Sequence, residues 1–380
     1  MSTGHHSRRT VVHGSSALRR LLKSERGNLV RAPVLLVSSK ETPQCESFPE
    51  VHTACEGTKF MVGMEFGFRS VPATVISAYP TLEDVKKAAE LVNRSGATSV
   101  IGVGSGAAMD LAKAVFQEDD ATNNLENLIL APATRGAALA AGASRSILLD
   151  PHEETLVLEK HHGHDDDENA VHIAIDPKMV CDTGPGSMTD AIFASIAVGV
   201  DSIYSSEGVV KRPDQVISTL RCGLEALHAL DHQEDGPSPS AHELTIEALF
   251  HAGELLSYGT GTTNRNITLA CVSSVLPISF PEAQSLTFMS SLLPGLFDTY
   301  QDAVLMEGVS SDEVGTLIQR VQAHAMYEKI PSLSSLAVDS TANFDVASML
   351  KQVHTNQSVW NCLDVDDAIL EEVLHRSLIR

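Results

Sequence analysis

The sequence predicts a two-part fold: a parallel, doubly wound α/β domain over residues 1–180, followed by an all-α domain over residues 181–380. Three observations carry that prediction. Apolar runs of strand length alternate with amphipathic stretches through the first half, the pattern of a parallel sheet with helical crossovers. After Asp176-Pro177 the strand pattern stops and only helical patterns follow, which places the boundary near residues 176–187. Between these, residues 98–115 read as an apolar strand, a glycine turn and an amphipathic helix. Such a junction aims unpaired backbone N–H groups and the positive end of a helix dipole at one point, which suits a phosphate.

Taken in order, Val11-Val12-His13-Gly14 reads as a short strand ending in a turn, and residues 16–23 as a helix. Residues 32–39 form a buried strand. Residues 45–60 are expected to be helical, 66–70 a loop and 73–77 a further strand. Thr81 opens a helix running to residue 95 with a capping-box-like start, and Ala88, Ala89, Leu91 and Val92 supply its apolar side. In the central junction, Val100, Ile101 and Val103 favour a strand. Gly102, Gly104 and Gly106 allow a tight turn and close approach of a ligand. Ala108, Met109, Leu111, Ala112 and Val115 then recur at helical spacing. Residues 128–131 are another strand. Residues 146–158 and 170–175 read as two extended arms around the polar connector 159–169. Beyond the boundary, helices are expected over 188–205, 216–230, 242–258, 266–276, 285–300, 311–329, 345–353 and 365–376, with a Pro/Ser/Gly loop at 233–240.

Composition narrows the partners. With 43% hydrophobic and 20% charged residues the chain has ample core, but aromatics are only 4%, so aliphatic side chains must do most of the packing. Twenty-seven basic against 49 acidic residues give a net charge of −22, which argues against nucleic acid or an anionic membrane as partner. An anionic ligand would have to be held by helix ends or a few local cations. Cys45, Cys55, Cys181, Cys222, Cys271 and Cys362 show no CxxC spacing, as expected of free thiols in a reducing compartment. No apolar run reaches membrane-spanning length. Arg8, Arg9, Arg19, Arg20 and Lys23 precede the first acidic residue, Glu25, a bias shared by mitochondrial transit peptides. Because residues 11–22 read as folded structure, a cytoplasmic location is the expectation, with the mitochondrion as alternative.

The run Gly104-Ser105-Gly106-Ala107-Ala108-Met109-Asp110-Leu111-Ala112-Lys113 resembles the nucleotide turn of the iron-containing (group III) alcohol dehydrogenases, Gly-Gly-Gly-Ser-x-x-Asp-x-Ala-Lys, with two changes. Other pieces resemble that family in the same order: residues 11–22, the Pro-Thr-Thr-like loop at 129–136, Ala174-Ile175-Asp176-Pro177, Leu292-Leu293-Pro294, and His354-Thr355-Asn356 with residues 364–378. The resemblance implies the dehydroquinate synthase-like fold of that family, with an active cleft between its domains. It also implies that a dinucleotide pyrophosphate lies on Gly104, Ser105, Gly106 and Ala107, with Asp110 nearby and Ala133 and Thr134 touching the cofactor. Ser39 falls where NAD-preferring members often carry Asp. Without that carboxylate a ribose 2′-phosphate meets no repulsion, so NAD and NADP both remain open.

The family holds a divalent metal with one Asp and three His. Alignment puts Ala194 at the Asp position and Val198 at the first His position. Using Asp190 instead would shift the register and leave Ala194 where the His belongs. The other two histidines should come from residues 260–290, yet no histidine lies between His251 and His324. Thr268, Val272 and Ser274 cannot replace them as ligands. The expectation is a chain without the metal. Maleylacetate reductases, which resemble this family, are described as working without it and are similar to this chain around residues 196–204, though they keep the histidines missing here. Hydride transfer to a carbonyl needs a group to polarise or protonate the oxygen, and Lys178, Tyr204, Tyr258, Asn264 and Arg265 are the available side chains.

Other clusters have blander readings. His161, His162 and His164 beside Asp165–Glu168 read as a solvated loop, and His228 with His232 as a helix surface lacking a third ligand. No G-x-S-x-G supports serine hydrolysis. Gly102-Val103-Gly104-Ser105-Gly106-Ala107 also satisfies G-x-G-x-x-A, but the acidic residue expected at a strand end about twenty residues on is missing. Two functions therefore stand at the level of sequence. One is a metal-independent NAD(P)-linked oxidoreductase acting on a small alcohol, aldehyde or keto acid. The other is a catalytically inactive relative serving as a nucleotide-binding or partner subunit. A homodimer is expected by analogy with the family.

Overall fold

The computed structural model describes residues 9–23, 34–39, 61–66, 79–117, 125–150, 152, 155–160, 170–180, 188–204, 213–231, 239–257, 285–300, 311–324, 327–336, 346–360 and 367–378. The chain divides into two compact units, Met1–Gly184 and Pro185–Arg380.

The first unit is built on a six-stranded parallel sheet. Its strands are β1 (Arg9–His13), β2 (Val34–Ser39), β3 (Met61–Phe66), β4 (Ser99–Gly104), β5 (Asn127–Pro132) and β8 (Ala170–Ile175). They lie side by side in the order β1-β8-β5-β4-β2-β3. The near-continuous apolar sequences of β4 and β5 are buried throughout, as both faces of a parallel sheet are covered. One face carries α1 (Ala17–Lys23), whose Ala17, Leu18 and Leu21 cluster with Leu36, Ile101, Val103, Ile129, Ala131 and Ala174. The other carries α3 (Gly106–Gln117): a methyl built at Gly102 would stand 2.7 Å from Ala112 Cβ and 3.2 Å from the Ala108 carbonyl. Gly102 therefore lets this helix lie directly on β4.

α2 (Leu82–Ser95) begins with the capping box expected at Thr81. The Thr81 hydroxyl oxygen accepts from Asp84 N–H at 3.1 Å while the Asp84 carboxylate accepts from Thr81 N–H at 3.0 Å. α4 (Arg135–Gly142) follows β5.

Two readings of this half need correction. The extended arms are not 146–158 and 170–175. They are β6 (Arg145–Asp150) and β7 (Thr155–Lys160), an antiparallel hairpin, whereas residues 170–175 enter the main sheet between β1 and β5. Ala170–Ile175 is apolar enough for a strand covered on both faces. Among the described residues β3 is the outermost strand on that side of the sheet, and Phe66 lies inside it rather than opening a loop. The helix expected at 45–60 and the strand at 73–77 lie outside the described residues.

In the second unit, α5 (Met188–Tyr204) packs against α6 (Pro213–Asp231), α7 (Pro239–Ser257) and α8 (Ser285–Tyr300). Its interior is aliphatic and aromatic, with Ile192, Phe193, Ile196, Phe250, Phe288 and Leu293 fully buried. The helix expected over 311–329 is two pieces, α9 (Ser311–Gln322) and a 3-10 turn (Tyr327–Lys329). The chain tightens at His324, whose N–H reaches Val321 O, and Tyr327 is buried against Phe193 and Phe297. α10 (Leu333–Leu336), α11 (Val346–Trp360) and α12 (Asp367–Leu378) complete the unit. The helix expected at 266–276 lies outside the described residues. Among the described residues no helix is long and apolar enough to cross a membrane.

Candidate nucleotide site

β2 has β3 on one side and β4 on the other, so the chain reverses its direction across the sheet between β2 and β4. α1 covers one face and α3 the other, as right-handed crossovers running in opposite directions require. In open parallel sheets ligands bind beyond the carboxyl ends of the strands at such a reversal. The strand ends there are Ser39 on β2 and Gly104 on β4, with Ser38 paired to Val103. Pro132 ends β5 opposite Gly104.

The turn is set by Gly104, whose φ of +136° is strained for any side chain. Ser105 caps α3, its carbonyl accepting from Ala108 N–H at 3.1 Å and Met109 N–H at 3.2 Å. The N–H groups of Gly106 and Ala107 have no acceptor within the helix and face its amino end. Alongside, Ala133 N–H donates to the Gly104 carbonyl at 2.8 Å, which pins the β5 loop to the turn. Thr134 caps α4 by accepting from Ala137 N–H at 3.2 Å, leaving its hydroxyl proton available to donate. Two helix amino ends, at Gly106 and Arg135, thus stand beyond adjacent strands, and Arg135 is 9% exposed. Both dipoles favour an anion there.

Of the residues singled out in the sequence, Gly104, Ser105, Gly106, Ala107, Ala133, Thr134 and Ser39 fall on three neighbouring strand ends. Asp110 does not join them. Its buried carboxylate lies 3.0 Å from Lys113 Nζ and faces the Ile147 amide. Lys113 in turn donates to the carbonyls of Ala140 (2.9 Å), Ala143 (3.2 Å) and Arg145. Burial pushes the Asp110 carboxyl up and the Lys113 ammonium down, each shift opposed by the other's charge. The sequence singles out Lys113 only as part of a motif; an acid and a base three residues apart in an otherwise apolar helix are the available signal.

In the second unit Ala194 and Val198 are 0% and 1% exposed, among aliphatic neighbours on α5. Neither side chain carries a donor atom, so the family's metal does not fit the residues at these positions. Asp190, one turn earlier, accepts from the Thr287 hydroxyl at 3.2 Å. Among the described residues no group of three or more His, Cys, Asp or Glu could hold a metal ion. Lys178 is exposed in the first unit. Tyr204 ends α5, and Tyr258, Asn264 and Arg265 lie outside the described residues. His228 is exposed, its Nε2 3.3 Å from Arg320 Nη2, and His232 lies outside the described residues.

Residues 9–155 match the family model of iron-containing alcohol dehydrogenase. No curated protein matches the chain by sequence. Solved structures match it over nearly its whole length. The chain is similar to maleylacetate reductase from Rhizobium sp. strain MTP-10005, at 18% identity and a TM-score of 0.65, covering 99% of this chain and 97% of that one. It is similar to an iron-containing alcohol dehydrogenase from Thermotoga maritima, at 13% identity and a TM-score of 0.70, covering 98% of each chain. A third is sulfoacetaldehyde reductase from Bifidobacterium kashiwanohense, solved in complex with NAD+, at 14% identity and a TM-score of 0.66, covering 99% of this chain and 98% of that one. Identities this low speak for the fold. The sequence match thus covers residues 9–155, and the fold of iron-containing alcohol dehydrogenases extends across the chain.

Proposed function

We propose that this protein is an NAD(P)-linked oxidoreductase of the iron-containing alcohol dehydrogenase family, acting without a metal on a small alcohol, aldehyde or keto acid. The observation that supports it is the gathering of Ser39, Gly104–Ala107 and Ala133–Thr134 at the ends of three adjacent strands, beside the reversal point. The Gly106 and Ala107 amides and the amino end of α3 bind the pyrophosphate. The Thr134 hydroxyl and the α4 amino end stand on its other side. The nicotinamide, when bound, supplies or accepts the hydride. Ser39 puts no negative charge at the end of β2, so NADPH is accepted as well as NADH. The metal-free reading rests on side-chain chemistry, since Ala194 and Val198 offer no lone pair and no histidine lies between 251 and 324. Fluorescence titration with NADH and NADPH tests the site; saturable binding of at least one is expected, and binding of neither overturns the reading.

The aliphatic α5 interior favours a second reading, a nucleotide-binding relative without catalysis. Turnover of any aldehyde or keto acid by chelator-treated protein removes it. Stoichiometric zinc or iron in the purified protein would overturn the metal-free assignment.

A further inference from the structure

We infer that His172 makes the segment Arg9–Lys23 an acid-released edge of the sheet: when its imidazole takes up a proton, β1 and α1 lift from β8 while β8, β5, β4 and β2 stay paired.

His172 is set into the face that α1 covers. Ala174, two residues on and therefore on the same face of β8, clusters with Ala17, Leu18 and Leu21 of α1. Across the ladder His172 lies opposite Thr10 of β1 and Ile129 of β5, and Ile129 belongs to that same cluster. His172 is 6% exposed, and neither ring nitrogen meets a hydrogen-bond partner among the described residues. Such an apolar wall suits a neutral ring and offers nothing to a charged one.

The elements packed around it supply no counter-charge among the described residues. β1 contributes Arg9 and the exposed His13, and α1 contributes Arg19, Arg20 and Lys23 without an acid. Glu126, just before β5, stands three residues along the sheet from Ile129, and Asp176 four residues along from His172. At about 3.3 Å per residue these carboxylates start about 10 and 13 Å away. Asp176 moreover accepts from Lys178 N–H at 3.0 Å.

The ring can reach water most easily on one side. β5 has β4 beyond it, so opening there would break the centre of the sheet. β1 pairs with β8 alone among the described residues. Its segment is otherwise held by Gly14 N–H on Ile175 O at 2.9 Å, by Arg9 on Gly142 O at 3.2 Å, and by Ala17, Leu18 and Leu21. It also carries strain, because Ser16 has a φ of +58°, a left-handed conformation costly to a residue with a side chain. An edge with few contacts opens before a core does. Burial keeps the His172 pKa below 6.5 in the closed state, and the open ring returns to about 6.5. The open edge thus binds the proton more readily, and the closed one weakens as pH falls below that value.

Hydrogen exchange read by mass spectrometry at pH 7.5 and 5.5, on the whole chain without dinucleotide, tests this independently of the nucleotide reading. Rates are corrected for the intrinsic pH dependence of exchange. At pH 5.5, one unit below the open-state pKa, protonation favours the open edge by up to about tenfold. In wild type, protection of residues 9–23 should therefore fall by several-fold, to a limit of about tenfold, relative to residues 99–104 and 127–132. In His172→Leu it should hold. A relative change in wild type below about twofold overturns the inference, and so does a fall of equal size in the variant. Protection lost equally across the whole sheet also overturns it, because the histidine then titrates with the entire unit. If His172→Leu does not fold, His172→Gln, uncharged at both pH values, takes its place under the same criteria.

Discussion

The two units of this molecule bury charge to different degrees. Among the described residues the sheet unit buries Asp110, Lys113, Arg135, Arg145, His172 and Asp176, whereas α5 at the centre of the helical unit is lined mainly by Ala191, Ile192, Ala194, Ala197 and Val198 and buries one carboxylate, Asp201, near its carboxyl end. Burying a charge costs several kcal/mol unless partners compensate. For Lys113 the sheet unit meets that cost with backbone carbonyls and a paired carboxylate, and gains directionality that aliphatic contacts cannot provide. Around Ala194 and Val198 the helical unit relies on close packing. Geometry is held by charge beside the glycine turn and by shape along the middle of α5.

The sharpest way to break this comparison is to reverse the charge of each interior. Lys113→Met should cost about 3–5 kcal/mol, because it strands the Asp110 carboxylate. Ala194→Asp should cost about 3 kcal/mol or more for the opposite reason, a carboxylate introduced among aliphatic groups. Chemical denaturation of each variant measures both, and a near-neutral result for either would dissolve the contrast.

Next in size is the turn. Gly104→Ala forces a methyl-bearing residue to a φ of +136° and should lower stability by about 1–2 kcal/mol. Its effect on dinucleotide Kd should exceed that stability loss, which isothermal titration would show.

Acid sharpens the comparison further. His172 is 6% exposed, with no hydrogen-bond partner for either ring nitrogen among the described residues, and burial pushes its pKa below the usual 6.5. The folded state then binds a proton less readily than the unfolded chain. Stability from this site is complete above about pH 6.5 and falls as pH drops below it. His324 in the helical unit is also pushed down by burial, but Asp231 at 3.0 Å opposes the shift. Denaturation midpoints between pH 7.5 and 5 should lose more of their acid slope in His172→Leu than in His324→Leu. Equal slopes would show that burial without a partner is not what separates the two histidines.

The smallest effect should come from the exposed Arg221–Glu313 pair at 2.6 Å. Arg221→Ala should change stability by about 0–1 kcal/mol, less at high salt.

What was legible in the sequence follows the same physics. β4, the glycine turn and α3 were readable because a covered strand must be apolar and a positive φ selects glycine, so the constraint falls on side-chain identity. The role of Lys113 was not readable, since its acceptors are main-chain carbonyls that any residue at 140, 143 or 145 would offer. β3 is not readable because Gly63 and Glu65 break the apolar pattern that two covered faces impose, and among the described residues Met61–Phe66 pairs with one strand. The hairpin was misdrawn because β7 and β8 share an apolar character and only pairing assigns them to different sheets. In the site, the strand-end residues were recognisable from order and type. The direction of Asp110 was not, because a position four residues into a helix does not reveal which neighbour its carboxylate meets.

Where α8 crosses α12, a methyl at Gly295 would overlap the Val373 carbonyl oxygen and the Ser377 hydroxyl and crowd Ser377 N–H at 3.2 Å. This is backbone laid against backbone, sealed by Arg376 on Asp298 O. Its consequence is temporal. Because α12 lies so late in the sequence, α8 must wait through translation of the intervening helices before its notch is filled. The sheet unit, whose described strands precede residue 176, can meanwhile assemble on its own. Nascent chains should therefore acquire a protease-resistant first half well before the second.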